Sequence, residues 1–195
     1  DKEAAIYAMY GFDAAYELTG EQKYYDAYLH ALYSAMSWVM TYDYVVTVPV
    51  SNAASEVMMF GDGFTSGFSF IATGHSGIDV YGASIYYDLF RQYIRTGDEL
   101  YLSFAGMLQN NARRSTDMNG ERGYLYPGFS SEACIAAEFV YYASEDGIYV
   151  PWIGVAFADP MISMYDHFGT ADIYEAAERY SLNELREITE IRAYE

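Results

Sequence analysis

The sequence predicts an all-α chain built from antiparallel helical hairpins. Three observations carry this reading. Apolar residues recur at helical spacing over most of the chain. The stretch Tyr16-Glu17-Leu18-Thr19-Gly20-Glu21-Gln22-Lys23-Tyr24 is matched in pattern by Tyr93-Ile94-Arg95-Thr96-Gly97-Asp98-Glu99-Leu100-Tyr101. The stretch with clear strand composition, Tyr44 to Val50, contains Pro49, which confines it to an edge or an extended loop. At most one short β hairpin fits, within 44–76.

The repeated motif has a direct physical meaning. Gly20 and Gly97 stand where a helix ends and the backbone turns to positive φ. The acid that follows each glycine sits in the first turn of the next helix, where the macrodipole favours negative charge. The product is a tight turn between two antiparallel helices. A looser third copy, Phe168-Gly169-Thr170-Ala171-Asp172-Ile173-Tyr174, carries one extra residue.

Around these turns the expected helices run from Ala4 to Leu18, Glu21 to Tyr42, Ile78 to Arg95 and Glu99 to Arg113. Further helices are expected over Ser131 to Ala143, Trp152 to Phe168 and Asp172 to Arg179. Ser181 with Glu184 makes a capping-box pattern that opens a last helix, Leu182 to Ala193. The Thr-Gly turns are short, whereas the connections at the opposite helix ends are long: Asp43 to Gly77, Ser115 to Ser130 and Ser144 to Pro151. Long connections rich in glycine and aromatics point to function rather than disorder. They are expected to gather on one rim.

Composition narrows the partners. Net charge is −18, from 28 acidic and 10 basic residues. That argues against nucleic acid, which needs a Lys/Arg footprint, and against anionic membrane surfaces. A strongly anionic polysaccharide is repelled at long range unless local arginines compensate. A single cysteine, Cys134, rules out an intramolecular disulfide and a multi-cysteine zinc site, and leaves the compartment open. No apolar run is long enough to span a bilayer. The N-terminus has no signal-peptide pattern and reads as a helix already under way, as expected of a fragment or processed form.

Helix, Thr-Gly-acid turn, tyrosine, helix and then a long aromatic connection: this resembles the six-hairpin glycosidase superfamily, the (α/α) toroid of carbohydrate-active enzymes. Thr19-Gly20-Glu21-Gln22-Lys23-Tyr24 fits the superfamily's repeat pattern most closely. Tetratricopeptide-like glycan-binding proteins use similar turns. The resemblance implies that 1–195 is one helical-hairpin domain, a partial toroid such as a C-terminal half. It implies an oligo- or polysaccharide substrate, a cleft on the rim with the long connections, and a homodimer or an N-terminal half to cover the open side. A periplasmic or secreted bacterial setting is preferred to a cytoplasmic one.

Glycoside hydrolysis requires two carboxyl groups flanking the scissile bond. Asp79 and Glu132 lead the rim candidates, because each is expected just inside a helix after a long connection, among small or apolar residues where burial raises a carboxyl pKa. Ordinary helix-end electrostatics is the competing role for both. His75, between glycines in Thr73-Gly74-His75-Ser76-Gly77, is the third catalytic candidate, as a lyase base acting with a tyrosine. His30 and His167 read as structural. Trp152, Tyr149, Tyr124, Tyr126 and Phe129 are candidate sugar platforms, and Trp38 reads as core. Arg122, with Arg113 and Arg114, either grips a uronate or pairs with Asp117 and Glu121. Asp117 to Glu121 is a plain turn rather than a calcium loop. No cofactor or metal is expected, and neither a phosphate loop nor a nucleophile elbow is present. The resulting expectation is a glycoside hydrolase domain. The alternatives are a non-catalytic helical-repeat module that binds glycan or protein, and a polysaccharide lyase using His and Tyr.

Overall fold

The computed structural model describes residues 1–43, 66–70, 77–79, 81–116, 118–120, 127–128, 133–135 and 151–192. These are mostly helical. In chain order they form α1 (Lys2–Thr19), α2 (Gln22–Met36), β1 (Ser69–Phe70), β2 (Gly77–Asp79), a 3-10 turn (Tyr81–Ile85) and α3 (Tyr86–Thr96). Then follow α4 (Glu99–Ser115), β3 (Ala133–Ile135), α5 (Pro151–Phe168), α6 (Ile173–Arg179) and α7 (Leu182–Thr189).

The turn motif works as its residues demand. Gly20, Gly97 and Gly169 adopt φ of 67°, 77° and 67°. Their N–H groups donate to the carbonyls of Tyr16, Tyr93 and Tyr165 at 2.7, 2.7 and 2.8 Å, which closes each helix. The threonine supplies a second lock. Thr19 and Thr96 donate back to Ala15 O and Gln92 O, at 2.7 and 2.8 Å, and accept from the N–H of Glu21 and Asp98, both at 3.2 Å. In the third copy Thr170 follows the glycine, yet its hydroxyl still accepts from Asp172 N at 3.2 Å. Asp98 and Asp172 then cap α4 and α6 through their carboxylates. The capping box at α7 forms, with Ser181 N–H donating to Glu184 at 2.7 Å.

Three expected helices are cut back by a small sheet of order β1-β2-β3, antiparallel throughout, and the chain that joins it. The helix expected over Ile78 to Arg95 begins only at Tyr86. Gly77 to Asp79 pairs instead with Ile135 to Ala133, and part of the expected Ser131 to Ala143 helix is therefore strand. Tertiary pairing has overridden the helical spacing, helped by β-branched Ile78 and Ile135. The residues after α2 join the same assembly: Met40 N–H donates to Phe68 O at 2.8 Å and Phe70 N–H to Trp38 O at 3.0 Å. Helix α2 thus stops at Met36 rather than Tyr42, and Trp38 is half-buried in the following turn, not on a helix stripe. Strand β1 lies in the connection Asp43 to Gly77 and β2 begins at its end, whereas β3 falls in the segment expected to be helix.

The sheet seats the 3-10 turn. Gly82 N–H donates to the buried Ser69 hydroxyl at 3.2 Å, and a Cβ on Gly82 would lie 2.9 Å from that oxygen. Only glycine allows this approach.

One apolar core joins every helix. Ile6 and Met9 of α1, Tyr25 and Leu32 of α2, and Leu89 and Phe90 of α3 are buried in it with Leu108, Met164, Phe168, Ile173 and Leu185. Each such side chain contributes about 1.5–3 kcal/mol on burial. Pro160 lies inside α5. It offers no N–H to the carbonyl of Ala156, so the helix lacks one internal bond there. Among the described residues no helix is long and apolar enough to cross a membrane.

Candidate functional site: a tyrosine-walled cleft with two carboxyl groups

Helices α1 and α3 lie side by side and run in the same direction. Their register is fixed by charge. Asp13 accepts from Arg91 at 2.6 Å and from Arg95 at 2.8 Å, and Glu17 accepts from Arg95 at 2.5 Å. Asp13–Arg91 and Glu17–Arg95 share one sequence separation, 78 residues. Arg95 is fully buried, and its guanidinium carbon lies 5.5, 5.5 and 5.3 Å from the ring centres of Tyr16, Tyr25 and Tyr28. Gln92 links the group by accepting from Arg95 at 3.0 Å and donating to the Tyr25 hydroxyl at 2.7 Å. Burial works against the charge on Arg95, but Asp13, Glu17 and the neighbouring Tyr28 together outweigh it and hold the guanidinium protonated. Burial likewise keeps the Tyr28 phenol neutral.

One helical turn before this ladder, Tyr10 of α1 comes beside Asp88 of α3. Here a cleft opens between α1, the 3-10 turn with α3, and α5. It has two adjoining lobes. One, of about 280 Å³, is lined by Tyr10, Ser84, Tyr87, Asp88, Arg91, Asp159, Pro160 and Ser163. The other, of about 300 Å³, is lined by Ile6, Tyr7, Tyr10, Tyr81, Ser84, Val155, Ala156 and Asp159. Tyr10, Ser84 and Asp159 border both lobes.

Asp88 belongs to the first turn of α3. Burial pushes its carboxyl up to about 7, and the charges of Asp13 and Asp159 push the same way, against Arg91. Such a group holds its proton near neutrality and can give it up there. Asp159 is exposed at the mouth. Burial, reinforced by Asp88, raises the Tyr10 phenol well above its usual range. Burial, opposed by Arg91, raises Tyr87 to about 12. Both phenols therefore serve as donors in neutral solution. Tyr7 is 61% exposed and meets Tyr10 edge to face, at 6.3 Å and 73°. It offers a wide aromatic surface at the entrance.

The third wall is tied down at its far end. Tyr87 stacks on His167 at 5.8 Å, with its hydroxyl 2.8 Å from Nδ1, and Phe90 meets Phe168 edge to face at 5.7 Å. His167 also contacts the Ser163 carbonyl at 2.8 Å. It is a helix-end residue, as expected, and it positions a tyrosine of the cleft.

Most of the residues singled out from sequence lie outside the described residues or have undescribed side chains. Asp79 lies in β2, not inside a helix, and the register sets it opposite Ala133, the neighbour of Glu132. Its side chain lies outside the described residues, as do Glu132, His75, Arg122, Tyr124, Tyr126, Phe129 and Tyr149. Trp152 falls in the first turn of α5 as expected, with its side chain likewise undescribed. Arg113 pairs with Asp172 at 2.9 Å. The carboxyl groups brought together are Asp88 and Asp159, both within helices. Sequence carried one hint of each: Asp88 interrupts the apolar run Tyr86-Tyr87-Asp88-Leu89-Phe90, and Asp159 precedes a proline inside a helix. Among the described residues no group of three or more His, Cys, Asp or Glu could hold a metal ion.

No protein-family model matches this chain, and comparison with the curated proteins and with the solved structures gives no match either.

Proposed function

We propose that this chain is a glycoside hydrolase domain of partial (α/α)-toroid type, with Asp88 and Asp159 as its carboxyl pair and Tyr7, Tyr10 and Tyr81 as sugar platforms. The observation that carries the reading is the convergence of two carboxyl groups in one tyrosine-lined cleft. The architecture supports it. Helices α1, α3 and α5 run side by side in one direction, as the inner wall of a toroid requires, and Thr-Gly turns close the helices at the opposite end.

In this reading Asp88 is the general acid. Its proton passes to the glycosidic oxygen as the bond from that oxygen to the anomeric carbon breaks. Asp159, at the mouth, serves the anomeric carbon, either by taking a proton from the attacking water or by attacking directly. The separation of the two carboxyl groups decides between these routes.

The test is hydrolysis of a panel of oligosaccharides by the wild-type chain. Asp88→Asn and Asp159→Asn should each lower turnover by about 10²–10⁴-fold while the helical circular dichroism is retained. Asp79→Asn and Glu132→Gln belong in the same assay, because a loss confined to them would move the chemistry to the sheet. Binding without cleavage across the whole panel would favour a glycan-binding module instead.

A further inference from the structure

We propose that the saccharide this cleft takes is a cationic amino sugar, one whose free amines are protonated. The inference rests on the cleft being a saccharide site and adds the chemistry of its ligand.

Charge is the first argument. The Asp159 carboxylate faces the cleft beside Asp88, which at about pH 6 holds its proton and offers a neutral carboxyl, and the one cation among the lining residues is Arg91. That guanidinium is already held by Asp13 at 2.6 Å. A uronate would find no uncommitted cation among these lining residues. An ammonium would find the Asp159 carboxylate and the rings of Tyr7 and Tyr10, and tyrosine faces attract cations.

Ser84 is the second, independent argument. It borders both lobes and is 9% exposed, and its Oγ makes no hydrogen bond of normal geometry although Tyr10 lies beside it. A buried hydroxyl whose contact with Tyr10 falls short of a well-formed hydrogen bond is incompletely satisfied, and a ligand N–H or O–H entering the cleft would complete it. The third argument acts at long range. A net charge of −18 draws a polycationic chain toward the protein and repels an acidic one.

The experiment measures binding, separately from cleavage. Calorimetric titrations of the wild-type chain would use a glucosamine hexamer, its N-acetylated counterpart, cellohexaose and spermine. They would be run at about pH 6, below the range of a free amine. The glucosamine hexamer should bind about tenfold or more tighter than cellohexaose and the acetylated hexamer, a gap that narrows as salt screens the attraction. Ser84→Ala and Asp159→Asn should each weaken it by about three- to tenfold without weakening spermine. Equal affinity for cellohexaose would overturn the proposal. So would spermine binding as tightly as the sugar with no response to Ser84→Ala, since net charge alone would then account for the attraction. Preferential amine binding without cleavage would remove the hydrolase reading and leave this one standing. Cleavage of neutral glucans alone would do the reverse.

Discussion

The two interfaces of α3 are made of different materials. Toward α1 it presents Arg91, Gln92 and Arg95, which engage Asp13, Glu17 and a cage of tyrosines. Toward α5 it presents Tyr87 and Phe90, which meet His167 and Phe168 through ring faces and edges. Charge sets position on the first side and shape sets it on the second. A buried ion pair tolerates no slip, because displacement strands a charge in low dielectric. An aromatic contact tolerates small displacements at little cost. The cleft therefore has a rigid flank at α1 and α3 and a more forgiving one at α5.

The largest expected effect comes from cutting the ionic side. Arg95→Met should lower unfolding free energy by about 3–5 kcal/mol, because Asp13 and Glu17 lose their buried partner. Adding Asp13→Asn and Glu17→Gln should recover much of that loss in urea titration. If the single variant unfolds at the wild-type urea concentration, the two interfaces do not differ as described. Phe168→Ala tests the aromatic side, with an expected loss of about 3 kcal/mol from an unfilled cavity. Its loss should be the same in low and high salt, whereas that of Arg95→Met should depend on salt and pH.

The smallest effect is the most diagnostic for the cleft. Asp88 has its carboxyl raised from 3.8 to about 7 in the folded chain. Between those values the folded state holds a proton that the unfolded state releases. Stability from this group is therefore complete below the lower value and is lost as pH rises through about 7. Asp88→Asn should remove that slope and leave the variant about 1–3 kcal/mol more stable than wild type at pH 8. Thermal unfolding across pH reads this directly, and parallel curves for the two proteins would show that Asp88 titrates normally.

How much of this was visible beforehand follows the same division. The hairpins were legible because Thr-Gly-acid encodes a local event, and all three turn glycines adopt the expected conformation. The capping box at Ser181 was legible for the same reason. The strand at Gly77 to Asp79 was not. Three residues are too few to show alternation, and their pairing partner lies far along the chain, at Ala133 to Ile135. Asp88 and Asp159 are not legible as a pair because each sits within a helix, far apart in sequence and outside the long connections. An acid within a helix looks solvated until a third helix is seen to close over it. The ionic ladder was hidden for a related reason: Asp13 and Arg91 signal nothing until α1 and α3 are aligned.

Pro160 adds a mechanical consequence. The missing bond to Ala156 leaves a soft point within the continuous helix α5, beside the cleft. Beyond it the helix is clamped by Phe168 and His167 against α3. Bending at that point would move Val155, Ala156 and Asp159 relative to α1 and α3. Aperture, and with it the reach of the Asp159 carboxylate, would then be adjusted by one bending backbone rather than by movement of the whole bundle.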